Sequence, residues 1–201
     1  MELRRALDQI SEIHGQLAKG EVYKSYKSFP VAVSGMLAVI VATFQPKWIG
    51  AEQPLGFVAL WASTAVISLL MAGSVILYNY LVHEGTVERR TTRRVVGQFV
   101  PAVVGGALVT AAIVLTDPAR VEVLPGCWAL LFGMGVFASR PYLPRAVGWV
   151  ALYYLVAGSG LLGLAADGSS LSPWGMGATF GAGQLLAAFV LYWNLERRDH
   201  G

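Results

Sequence analysis

Histidine, cysteine and acidic side chains are the groups that could hold a metal or move a proton, and in this chain they are few and scattered. The three histidines, His14, His83 and His200, each fall at or beyond the end of an apolar run, so a haem ligated by two histidines inside a membrane is not expected. His83 with Glu84 and Glu88 is the one grouping with ligand chemistry, and its spacing suits a solvated helix face better than a metal site. Cys127 is the single cysteine, so it can form no intramolecular disulfide and has no second thiol for a metal. Inside an apolar run it reads as a small buried residue. No Ser-His-Asp set, phosphate-binding loop or HExxH helix occurs. The expectation is a protein that is not an enzyme and holds no cofactor or metal.

Within the apolar runs the polar residues are mostly hydroxyls, including Ser34, Thr43, Ser63, Thr64, Ser74, Thr110 and Thr179. These can bond to their own helix or across a helix interface. Gln184 differs, because its amide carries two donors and an acceptor that helix backbone rarely satisfies; it is expected to face inward. No Asp, Glu, Lys, Arg or His lies in the middle of a run, which argues against proton-driven transport. The 23 glycines cluster in the later runs. Gly177 and Gly181 make a Gly-x-x-x-Gly face, so a close helix crossing is expected there, with pairing of two copies as the default assembly. A cofactor-binding role for these glycines fails because no strand precedes them.

The elements that must position these residues are set by hydropathy. The chain is 201 residues, 55% hydrophobic and 13% charged, with a mean hydropathy of +0.56, a balance suited to lipid. Six apolar runs recur, at about 29–44, 55–82, 96–115, 123–138, 146–165 and 174–193. A helix needs about 20 residues to cross a hydrocarbon core of about 30 Å. The alternating pattern of β-barrel strands is absent. The fold class is therefore all-α, a polytopic membrane protein of six transmembrane helices. Residues 29–196 form the transmembrane domain, after an N-terminal amphipathic helix at 1–28 and before a tail at 197–201. Thirteen of the fifteen Lys and Arg fall on one side of the alternating loops, leaving only Lys47 and Arg120 on the other. Basic loops stay in the cytoplasm, so both termini are expected there. The +3 net charge is spread in short clusters between the spans, which excludes a nucleic-acid stripe.

Leu3, Leu7, Ile10, Ile13 and Leu17 recur at three- and four-residue spacing opposite Arg4, Arg5, Asp8 and Glu12. That stripe predicts an amphipathic helix lying on the membrane, under the bundle or against another chain. The segment lacks the features of a signal peptide, so insertion is expected to rely on the first span. The second run exceeds a perpendicular crossing and is expected to continue as helix past Val82 through Glu84, Glu88 and Arg89. The third contains Pro101 and the fourth is short and glycine-rich, an interruption that in transporters lines binding sites. Lys24, Lys27, Arg89, Arg90, Arg93 and Arg94 gather near one leaflet, where anionic lipid headgroups or an acidic partner would meet them.

Leu124-Pro125-Gly126-Cys127-Trp128-Ala129-Leu130-Leu131-Phe132-Gly133-Met134-Gly135-Val136, Ser139-Arg140, Phe180-Gly181-Ala182-Gly183 and Glu196-Arg197-Arg198 together resemble a family of uncharacterised bacterial inner-membrane proteins with six spans and an N-terminal amphipathic helix. Cys127 departs from the aliphatic residue expected there. The resemblance implies a multi-pass protein of the bacterial inner membrane, without catalytic residues to carry over, and a role in envelope sensing or response. Two functions follow. One is a non-enzymatic scaffold, accessory or sensory subunit, a homodimer or part of a larger complex, acting through helix packing and its basic cytoplasmic face. The other is a small transporter or lipid- or amphiphile-binding protein, with Trp128, Phe132 and Gln184 lining the ligand.

Overall fold

The computed structural model describes residues 28–50, 53–166 and 169–197. The amphipathic segment, Lys24 and Lys27 lie outside the described residues. Six helices are long and apolar enough to cross a membrane, and the chain is an integral, multi-pass, all-α membrane protein. The helices are α1 (Ser28–Trp48), α2 (Pro54–Val82), α3 (Thr86–Thr116), α4 (Leu124–Ser139), α5 (Val147–Ala165) and α6 (Pro173–Leu195). Successive helices run in opposite directions, so the start of α1, the α2–α3 turn, the α4–α5 connection and the end of α6 share one end. A cluster of Val31, Val147, Ala188, Leu191 and Leu195 closes the bundle at that end. Arg89, Arg90, Arg93, Arg94, Arg140, Arg145 and Arg197 all lie there, and only Lys47 and Arg120 lie at the other among the described residues. It is called the basic end below.

Glycine sets the closest helix contacts, because in lipid the gain from association comes from packing and not from expelling water. A methyl group on Gly158 of α5 would stand 2.8 Å from Leu130 N and 3.0 Å from Gly126 O; one on Gly126 of α4 would meet Leu162 at 2.6 Å. α4 and α5 therefore touch backbone to backbone. Gly135 seats α4 on Ala102 and Phe99 of α3 in the same way.

Polar bonds then lock neighbouring helices at particular heights. Trp61 Nε1 donates to Gln45 Oε1 at 2.8 Å, both residues being buried, which ties α2 to α1. Trp128 Nε1 donates to Thr110 Oγ1 at 2.8 Å, and that hydroxyl donates to Gly106 O, tying α4 to α3. Ser139 Oγ donates to Gly135 O at 3.0 Å and lies 3.4 Å from Val95 O.

Two expected features of the spans differ. The second helix ends at Val82, and α3 begins at Thr86 after a turn through His83, Glu84 and Gly85; the extra length of the second run lies inside α2 and not in a continuation past Glu84. Gly85, in extended backbone, precedes the first turn of α3. Neither α3 nor α4 is broken, since α3 runs through Pro101. The interrupted helix is α6, which widens to π-helix at Gly177–Ala182 and again at Tyr192–Glu196. Pro46 also sits within the last turn of α1 and does not end it.

Candidate functional site

Among the described residues, two larger groups of polar or aromatic side chains stand out. The first is the α2–α3 turn at the basic end. Glu84 is only 8% exposed, and both its carboxylate oxygens accept the Thr92 hydroxyl, at 2.8 and 2.7 Å. Its N–H donates to Asn79 O at the end of α2. Arg89 turns back across the hairpin: its guanidinium donates to Leu81 O at 3.2 Å and stacks 5.3 Å from the Tyr80 ring centre. Arg90, Arg93 and Arg94 stay exposed, and their i, i+3, i+4 spacing puts them on one face of α3. The cluster of four arginines is thus split, one closing the hairpin and three facing outward.

That arrangement does not serve the helix itself. The first turns of α3 carry partial positive charge, which favours Glu88 and disfavours four arginines. The helix dipole therefore does not account for Arg90, Arg93 and Arg94. Beside them an open depression is lined by Val75, Tyr78, Asn79, His83, Glu84 and Glu88. Among the described residues no three His, Cys, Asp or Glu side chains are placed to hold a metal ion.

The second place is the aromatic centre of the bundle. Phe132 of α4 packs edge-on to Phe99 at 5.1 Å, against Tyr154 at 4.7 Å and against Phe180 at 6.0 Å. Tyr153 Oη donates to Ala178 O at 2.6 Å, a carbonyl within the π-helical stretch of α6. Tyr154 is fully buried, and Gly183 is open space for its ring: a methyl there would lie 2.5 Å from the ring carbon. The widened turn of α6 thus receives two tyrosines of α5. Sequence reasoning missed this, and the adjacent Tyr153-Tyr154 facing a glycine-rich helix was its only signal.

The residues expected to line a ligand lie at three separate helix contacts. Phe132 is part of the packed aromatic centre, Trp128 bridges α3 and α4, and Gln184 lies against Gly35 of α1, its Cβ 3.1 Å from where a Gly35 methyl would stand. Gly177 and Gly181 do form a close crossing, but within the chain. Methyl groups there would meet Ala42 Cβ at 2.5 Å and Val39 Cγ2 at 2.7 Å, so α1 fills the face that pairing of two copies would need. A small-residue face has no label for whose helix it accepts. Comparison with protein-family models, with curated proteins and with solved structures finds no match to this chain.

Proposed function

We propose that the chain is a non-enzymatic scaffold, accessory or sensory subunit of a bacterial inner membrane, with its basic end and both termini cytoplasmic, as the resemblance and the charge asymmetry imply. The observation that supports this is how little of α2 and α3 the chain itself covers. From Ala65 to Val82 only Asn79 is buried, and from Val96 to Thr116 no residue is. α2 is held near its outer end by Phe57, Val58 and Trp61 and at its inner end by the Glu84 turn, leaving Val66, Leu69, Leu70 and Leu77 outward between. Such a helix adds apolar surface to the bundle without adding core, which is what a subunit offers to a partner helix. The exposed Arg90, Arg93 and Arg94, with Lys24 and Lys27, then meet anionic headgroups or the partner's acidic face.

A photo-reactive residue at Leu70 or Leu108, irradiated in native membranes, tests the reading. Protein adducts at these positions, with lipid adducts alone at Val156 of α5, are the expected result; lipid adducts alone at all three would remove it. The amphiphile-binding alternative has less support, since Trp128 and Phe132 are taken up by packing.

A further inference from the structure

Gln98 is an amide on the outside of a span. Between Val95 and Thr116 of α3 the polar side chains are Gln98, Thr110 and Thr116. Both threonines donate to carbonyls of their own helix, Gly106 O and Ala112 O. Gln98 is exposed and bonds to no group among the described residues. An amide without a partner in hydrocarbon is costly, so the surroundings of the chain must supply one.

Depth and neighbours narrow what that partner is. Val95 lies beside Ser139 at the end of α4, and Gln98 is three residues, about 4.5 Å, further into the bundle. Arg90 and Arg94 precede it at four-residue steps, so the three make a ladder on one face of α3 with rungs about 6 Å apart. Arg93 stands about 100° round the helix from Arg94, outside the ladder. Arg90 and Arg94 are exposed and pair with no described residue. Helix side chains lean toward the N-terminus, which for α3 is the basic end, so Gln98 leans toward Arg94. The headgroup layer on each side of a bilayer is about 5 to 8 Å thick, which matches the rise from Gln98 to Arg94.

Below the ladder the same face continues through Pro101 and Gly105. A methyl on Gly105 would lie 3.7 Å from Leu131 of α4, and Met134, one turn on, is 57% exposed. At these two positions α3 has no long side chain to fill the groove it makes with α4.

We propose that Arg94, Gln98 and this groove bind an anionic glycerophospholipid. The Arg94 guanidinium donates to the phosphate, and the Gln98 amide N–H donates to an ester carbonyl one layer deeper. Arg90 favours a headgroup of net negative charge, and an acyl chain runs over Pro101 and Gly105. The site rests on the cytoplasmic placement of the basic end proposed above and not on α2 having a partner.

Native mass spectrometry of the full chain, released from nanodiscs of phosphatidylcholine doped with phosphatidylglycerol, tests the site. Ester-linked phosphatidylglycerol should be retained about fivefold more than its ether-linked analogue, which lacks the carbonyl, the factor expected of one hydrogen bond. Gln98→Leu, which changes no charge, should bring the ester lipid down to the ether level and leave the ether lipid unmoved. Arg94→Gln should lower both lipids by more than Arg93→Gln does. Equal retention of the two lipids by the wild-type chain would overturn the inference whatever the variants do, as would equal losses from Arg94→Gln and Arg93→Gln. Displacement of the lipid by inorganic phosphate would also overturn it, since the site would then recognise phosphate alone. A protein partner lost on Gln98→Leu would assign the amide to another helix, with the same consequence. Labelling of Arg94→Cys from the outer face of sealed membranes would instead remove the placement on which the site rests, so the two failures are told apart.

Discussion

At the residue scale, the glycines divide into those that permit a contact and those that merely occur in a helix. Gly158 has backbone of α4 within 3.0 Å of where its methyl would be, whereas Gly160, two residues on, has open space. Gly158→Ala should therefore destabilise the bundle by about 1 to 3 kcal/mol through overpacking. Gly160→Ala should be neutral or slightly stabilising, since alanine is the better helix former. Thermal loss of monodispersity in one detergent compares the two, and equal losses would contradict the α4–α5 contact. The Gln45–Trp61 bond makes a second residue-level case. A double-mutant cycle of Gln45→Leu and Trp61→Phe should show a coupling of about 0.6 to 2 kcal/mol, because each single change leaves the other group buried and unpaired. No coupling would mean that packing alone holds α2 to α1.

The α2–α3 hairpin is the element that departs most from a compact bundle. With 29 and 31 residues its helices are about 44 and 46 Å long, well beyond a hydrocarbon core of about 30 Å. At the basic end α3 extends from Thr86 to Arg94 past the level of Val95, which lies beside Ser139 at the end of α4. Changing Arg90, Arg93 and Arg94 together to Gln should lower copurifying anionic lipid, at about 1 kcal/mol per arginine, with all six spans still inserted through the remaining basic loops. Arg89→Gln should leave lipid content nearly unchanged and instead loosen the turn, because Arg89 is bonded back to Leu81 O. Mass spectrometry of bound lipid separates the two variants. Equal lipid loss from both would contradict the division of the cluster.

For the whole molecule, the charge asymmetry predicts sidedness. Cysteines placed at Arg94 and at Arg120 should react with an impermeant maleimide from opposite faces of sealed membranes, the first only from the cytoplasmic side. Labelling of both from one face would invert or break the six-span topology. The exposed Asp117–Arg120 pair at the outer end, 2.8 Å apart, adds little to stability because water screens it.

Hydropathy and charge carried the number of spans, their approximate limits and their alternation, because lipid imposes length and polarity on every crossing segment regardless of its neighbours. Local chemistry also showed that Gly177 and Gly181 sit at a close crossing. What no local pattern contains is the identity of the neighbour: only the tertiary structure placed α1 on that glycine face, Tyr153 and Tyr154 on the widened turn of α6, and Phe132 in the aromatic centre. The hairpin behaves likewise. Its arginines are plain in the sequence, but which one folds inward depends on where Leu81 and Tyr80 come to lie once Gly85 has reversed the chain, and that is a matter of three-dimensional position.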